Sequence, residues 1–244
     1  MSDTWIILGA TSSMARAFTR LIAEQGGRLV LAGRDTDDMD ITAADARARG
    51  ATGATVVRFD ARKPKTFADV IEAAGPGVLN AAVFLGSMPE QADINANPAL
   101  LDGTIADSFT GPARFLQTLA PRVEAEGDGV IVGVGSVAGD RGRASNYVYG
   151  SAKAGFHAFL SGLRGRLLPA GGHVVTVKPG FVDTAMTWGL FDRMTMVADP
   201  DDVARTILRA ADKRRNVVYV PLFWLGIMTI IRAIPEPVFK KLKL

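Results

Sequence analysis

The chain has 244 residues, 48% apolar and 22% charged, a composition that can fill a large core and excludes a disordered polymer. Lys and Arg exceed Asp and Glu by only 28 − 25 = 3, too weak a field to hold nucleic acid, so a small-molecule partner is expected. Without cysteine there is no disulfide, thiolate nucleophile or Cys-ligated metal, and the two histidines, His157 and His173, read as filling or edging structural elements; no metal site is expected.

The opening "MSDTWIILGATSS" has no basic segment ahead of its apolar run and no cleavage-like site after it, so a cytoplasmic location is expected. Seven short apolar runs follow in order: 5–10, 28–33, 54–59, 77–84, 129–136, 173–180 and 216–221. They are rich in Val, Ile and Leu without in-and-out alternation, the pattern of parallel strands covered on both faces. Helical patterns lie between them at 13–26, 42–50, 65–75, 98–126, 150–169 and 200–214. Strand and helix therefore alternate, which predicts an α/β fold: one doubly wound parallel sheet of about seven strands with helices on both faces. A single domain over 1–244 is expected, with a short apolar helix or tail at about 222–244. Ligands of such sheets bind beyond the carboxyl ends of the strands.

The first strand leads through Gly9 into Thr11, Ser12, Ser13 and Met14 at the start of a helix, where free N–H groups and the positive dipole end suit a pyrophosphate. One glycine stands where a dinucleotide fingerprint would have three, so a plain strand and helix joined by a small-residue turn stays open. The second strand ends in Gly33 and Arg34. An arginine at that place accommodates a ribose 2′-phosphate, favouring NADP(H) over NAD(H), and a solvated arginine is the alternative. The acidic cluster "DTDDMD" (35–40) reads as a solvated loop rather than a metal site.

Within "GSVAGDRGRASNYVYGSAKAGF" (135–156), Tyr149 and Lys153 stand at i and i+4 and share a helix face, whereas Tyr147 does not. A nearby ammonium lowers the pKa of a phenol, which makes proton exchange with a carbonyl or alcohol feasible. Ser136 ends the preceding strand and can hold the same oxygen. Tyr147 either faces the substrate or packs at the helix start with its hydroxyl outward.

Strand-terminal Ser136, Tyr149 thirteen residues on and Lys153 four further resemble the short-chain dehydrogenase/reductase family, along nearly the whole chain. The resemblance implies a Rossmann-type fold and an NAD(P)-dependent oxidoreductase acting on CH–OH or C=O groups. Tyr149 would be the general acid, Ser136 would orient the substrate, and Lys153 would bind the nicotinamide ribose while lowering the phenol's pKa. It also implies that Asp60 contacts adenine, that "LNAA" (79–82) with Asn80 and Ala81 stands for the family's Asn-Asn-Ala-Gly turn, and that Pro179, Gly180, Val182 and Thr184 line the nicotinamide. The chain departs from the family pattern at Ser13 and Ala15, usually Gly, at Leu79, and at Ser108, where a catalytic Asn often stands.

The resemblance implies that the segment "AMTWGLFDRMTMVADP" (185–200) is a lid over the substrate, and its Met186, Trp188, Phe191, Met194 and Met196 suggest a large apolar ligand; a core-packing helix is the alternative. The C-terminal apolar run is too short to span a bilayer once its first part serves as the last strand. With Lys240, Lys241 and Lys243 beside Phe239 and Leu242, it could rest on anionic headgroups, cover the sheet or form a dimer contact. Four segments, "GATSSMA", "SVAGDRGRASNYVYGSAKAG", "KPGFVDTAMT" and the C-terminus, look most like the family branch that includes the reductase subunit of decaprenylphosphoryl-ribose epimerase. Resemblance thus implies reduction of a bulky, lipid-linked keto substrate at the inner face of a membrane, by a homo-dimer or homo-tetramer. A catalytically weak NADP-binding sensor or scaffold and a soluble reductase of small metabolites are the alternatives.

Overall fold

A computed structural model of the chain describes residues 3–184 and 197–242. Residues 185–196 of the segment read as a lid, with Met186, Trp188, Phe191, Met194 and Met196, lie outside the described residues, as does Lys243. All seven apolar runs are strands: β1 Thr4–Leu8, β2 Arg28–Gly33, β3 Gly53–Arg58, β4 Leu79–Val83, β5 Val130–Val134, β6 His173–Pro179 and β7 Val217–Val220. They form one parallel sheet in the order 3-2-1-4-5-6-7. The order reverses between β1 and β4, which opens a crevice at the carboxyl edge of the sheet there.

The crossovers carry α1 Ser13–Glu24, α2 Thr36–Ala48, α3 Phe67–Ala73, α4 Gln91–Ala96, α5 Ala99–Ile105, α6 Gly111–Glu126, α7 Tyr147–Leu167 and α8 Pro200–Asp212; α9 Phe223–Ala233 and α10 Glu236–Phe239 follow β7. Successive strand residues point to opposite faces, and this divides the core. Trp5, Ile7, Leu29, Leu31 and Val175 pack against Phe18, Ile22, Met39 and Ile207 of α1, α2 and α8. Ile6, Leu8, Val30, Ile131 and Val174 pack against Phe67, Phe115, Leu119, Phe156 and Leu160 of α3, α6 and α7. Each such side chain contributes about 1.5–3 kcal/mol on burial, so both helix layers are held firmly to the sheet.

Two elements differ from the reading of the sequence. The acidic cluster is no loop: Asp35 caps α2 by accepting from the Asp38 N–H (3.1 Å), and Asp37 and Asp38 occupy the first turn, where carboxylates favour the helix dipole. The helix expected over 98–126 is interrupted by a wider π turn at Ala106–Thr110. Pro112 has no N–H to offer the Ser108 carbonyl one turn back, and the ladder widens there instead of running on.

Candidate active site

Ser12 caps α1 by accepting from the Ala15 N–H (3.2 Å), which aims the first turn of the helix at the carboxyl edge of β1. Gly9 turns the chain there with φ +76°, and a Cβ on it would lie 3.0 Å from the Phe84 carbonyl oxygen, so backbone and ligand can approach only because this residue is glycine. Thr11, Ser13 and Met14 complete the turn, and the Thr11 carbonyl accepts from Arg16 Nε (3.1 Å). Arg34 follows β2 and is exposed beside this turn. Asp60 lies just past β3, its Oδ1 accepting from the Arg62 N–H (3.0 Å) and its Oδ2 lying 3.6 Å from Lys63 Nζ. The open turn and the helix start fit the pyrophosphate of a dinucleotide.

Two strands further along the crevice, Ser136 begins the tight turn after β5, its Oγ accepting from the Ala138 N–H (3.1 Å). Tyr149 and Lys153 rise from the first turns of α7, 7% and 3% exposed, whereas Tyr147 is 46% exposed and donates to Asn95 Oδ1 at 2.9 Å. Helical phase thus turns Tyr149 inward and Tyr147 outward. The Tyr149 hydroxyl shares a hydrogen bond with Ser136, and both residues line a cavity of about 360 Å³ closed by Pro179, Gly180, Val182 and Thr184.

Burial, rather than the neighbouring ammonium, dominates the charge balance of this pair. Burial pushes Tyr149 up to about 12, and the Ser136 hydrogen bond only partly offsets this. Burial also pulls Lys153 down to about 8, while its ammonium donates to the carbonyls of Val134 (3.0 Å) and Leu85 (3.1 Å) and lies 5.8 Å from the Tyr149 ring centre. Such a phenol is protonated at neutral pH and stands as an acid rather than a base.

A family model described as short chain dehydrogenase matches residues 3–195. The chain belongs to the short-chain dehydrogenase family. It is 31% identical over 241 residues to an uncharacterized oxidoreductase of Mycobacterium tuberculosis, covering 97% of this chain and 96% of that one. An uncharacterized oxidoreductase of Streptomyces coelicolor shows the same identity over 97% of this chain and 94% of its own. The fold matches that of a short-chain dehydrogenase from Sphingobium yanoikuyae in complex with NADPH, with a TM-score of 0.82, 24% identity and 97% of each chain covered. It also matches one from Burkholderia cenocepacia in complex with NADP, with a TM-score of 0.85, 16% identity, and 100% and 98% covered. As a member of this family the protein is an NAD(P)-dependent oxidoreductase.

Against the family pattern, one expected assignment is corrected. Asn80 and Ala81 lie near the amino end of β4, away from the crevice: Asn80 pairs with Trp5, accepts from the Val130 N–H (2.7 Å) and reaches Asp3, while Ala81 is fully buried in the core. The carboxyl end of β4 is Val83, so Phe84, Leu85 and Gly86 occupy the place ascribed to the Asn-Asn-Ala-Gly turn. Gly86 marks that place: a Cβ there would lie 3.2 Å from Lys153 Nζ and 3.4 Å from Ser108 Oγ. Ser108 is fully buried, and its hydroxyl is tied to Ser87, accepting from its N–H (3.1 Å) and donating to its carbonyl (3.2 Å).

Behind Ser136 lies a polar network that sequence spacing could not reveal. His157 Nε2 accepts from the Ser136 N–H (3.3 Å), and a Cβ on Gly135 would fall 2.1 Å from the same nitrogen. Burial, reinforced by the Lys178 charge, pulls His157 down to about 3, so it is a neutral acceptor. Asp140 beside it receives Lys178 Nζ (2.5 Å) and the Tyr219 hydroxyl (2.6 Å), which fixes the turn against β6 and β7.

The next residue in that turn reaches the C-terminus. Arg141 donates to the carbonyls of Ile231 (2.5 Å) and Ile234 (2.6 Å) and to Glu236 (2.9 Å), and its guanidinium lies 3.6 Å from the Phe239 ring centre. The inner side of α9, Trp224 and Met228, packs on Val137 and Phe181, while Leu222, Phe223, Leu225 and Ile230 face outward. Among the described residues no helix is long and apolar enough to cross a membrane.

Proposed function

We propose that the protein is an NADPH-dependent carbonyl reductase for a bulky, predominantly apolar, lipid-linked keto substrate. The observation that carries this reading is the buried Tyr149 hydroxyl, hydrogen-bonded to Ser136 inside a cavity whose walls include Met14, Met88, Phe181 and Val182. NADPH, when bound, supplies the hydride that reduces the carbonyl carbon. Ser136 holds the substrate oxygen by a hydrogen bond from its hydroxyl, and Tyr149 gives up its phenolic proton to that oxygen. The phenolate left behind is stabilised by the Lys153 charge one helical turn along and is reprotonated from solvent. Asp60 and the Gly9 to Met14 turn hold the adenine and pyrophosphate ends of the cofactor. Pro179, Gly180, Val182 and Thr184 hold the nicotinamide end.

Arg34 selects the phosphorylated cofactor in this reading. Its acidic neighbours are engaged in α2, with Asp35 as the cap and Asp38 paired to Arg16, which leaves the guanidinium for a 2′-phosphate. Arg34→Ala raises the KM for NADPH by about 10–100-fold, the worth of a charge-assisted contact, and leaves the KM for NADH unchanged in steady-state assays. An equal change for both cofactors overturns the assignment.

The substrate arrives from a membrane in the same reading. The outer face of α9 is apolar, and Lys240 and Lys241 stand exposed just past α10, a pairing suited to the anionic inner leaflet facing the cytoplasm. Self-association runs through α6 and α7, between which Ala113 and Phe159 border an open apolar hollow. The test is incubation with NADPH and anionic vesicles made from a lipid extract, following loss of cofactor absorbance, identifying the reduced species by mass spectrometry and floating the vesicles on a gradient. Flotation with lipid reduction is expected. Reduction of soluble ketones only, with the protein left in the dense fraction, overturns the lipid-linked substrate.

A further inference from the structure

The loop from Ser136 to Asn146 holds two arginines in opposite situations. Arg141 is saturated by carbonyls, a carboxylate and an aromatic ring, as described above. Arg143 lines the cavity that contains Ser136 and Tyr149, and its Nε is buried without a hydrogen-bond partner. Among the described residues no carboxylate pairs with it. Glu90 borders the same cavity but is exposed and forms no ion pair with Arg143. Asn146 repeats the pattern on the same wall, its buried Oδ1 accepting nothing.

Buried polar atoms in native proteins are paired, and a guanidinium withdrawn from water without an anion is costly. Arg143 as a whole is half-buried, so it is the Nε edge of the guanidinium that is left without a partner, and burial holds the group below its usual range. An arginine with an unpaired donor edge, lining the same cavity as the reacting hydroxyl, is complementary to an anion that enters with the ligand. The cofactor turn at Gly9 to Met14 follows another strand and is built on backbone N–H groups, so this second anion site serves the substrate side. The amide oxygen of Asn146 then suits a hydroxyl next to the anionic group.

We propose that Arg143 binds an anionic group of the substrate, a phosphate ester or a carboxylate, and so makes the protein a reductase of acidic rather than neutral carbonyl compounds. This rests on the reductase reading above and narrows its substrate class. The fork of N–H donors matches the paired oxygens of either anion, and the apolar remainder of the cavity takes the hydrocarbon part.

Calorimetric titration of the protein saturated with NADP⁺ tests it, using geranyl phosphate, geranic acid and geraniol as probes that share one hydrocarbon chain. At least one anion is expected to bind about tenfold or more tightly than geraniol, the arm with the larger gain identifying the group. Arg143→Gln abolishes that preference, leaving geraniol affinity, NADPH affinity and melting temperature unchanged. Arg143→Met serves where the Gln variant melts early, and Arg143→Lys retains part of the preference. Equal binding of all three probes by the wild type, or a preference that survives in Arg143→Gln or Arg143→Met, overturns the proposal. The reductase reading fails separately: if no ketone, neutral or acidic, oxidises NADPH while anions still bind through Arg143, the anion site stands and the catalytic role of Tyr149 falls.

Discussion

Tyr149→Phe lowers NADPH-dependent turnover by about 10²–10⁴-fold, the usual worth of a positioned general acid, while NADPH affinity stays within about twofold of the wild type. The substitution removes one oxygen from a ring that is 7% exposed, so packing is preserved and only the proton donor and its bond to Ser136 are lost. No second phenol is at hand to replace it, because Tyr147 points outward to Asn95. Tyr147→Phe therefore leaves turnover unchanged and is the matched control. Steady-state kinetics with a fluorescence titration of NADPH checks both variants, and wild-type turnover in Tyr149→Phe would remove the mechanism altogether.

Lys153 sets the second large effect, which is read in the pH profile. Below its pKa of about 8 it carries a charge 5.8 Å from the Tyr149 ring centre, and Tyr149, near 12, is still a phenol well above that point. As pH rises through about 8 the ammonium loses its proton, and the phenolate formed in each turnover loses its counter-charge. Reduction should thus decline on the alkaline side with a midpoint near 8, four units below the point at which the phenol itself would run out of protons. Lys153→Met removes the charge at every pH, so turnover drops by about 10²-fold or more and the limb near 8 disappears. A limb that persists in Lys153→Met belongs to another group. The same displacement acts on folding: the lysine titrates near 8 when folded and near 10.5 when unfolded, so its contribution disfavours the fold below pH 8 and this penalty fades as pH rises from 8 to 10.5.

Much of this was legible because parallel strands buried on both faces leave continuous apolar runs, and all seven runs became strands. The Tyr149 and Lys153 pair was legible for a similarly local reason, since a spacing of four residues fixes a shared helix face whatever surrounds it. Asn80 was misplaced because the run 77–84 does not reveal which of its residues lies at the carboxyl end; only the pairing of β4 with β1 shows that Val83 does. The first turn of α2 was hidden by its acidity, a composition that solvated loops share with helix starts. Arg143, and the contact of Asp140 with Lys178, His157 and Tyr219, join residues distant in sequence or depend on which atoms lack partners. Neither property has a local signature. The reversed balance of the two pKa values has the same origin: spacing brought cation and phenol together, but burial, a product of the whole fold, governs both.

The clamp made by Arg141 ties the segment from Ile231 to Phe239 to the loop that borders the cavity. A guanidinium that fills its donors with the carbonyls of Ile231 and Ile234 makes the carboxy-terminal turn a footing for the loop that carries Ser136 and Arg143. α9 therefore meets that loop directly, by these polar contacts and by the packing of Trp224 and Met228 on Val137, without the sheet between them. Substitutions between Ile231 and Phe239 thus bear on the footing of the cavity wall while leaving the β-strands untouched.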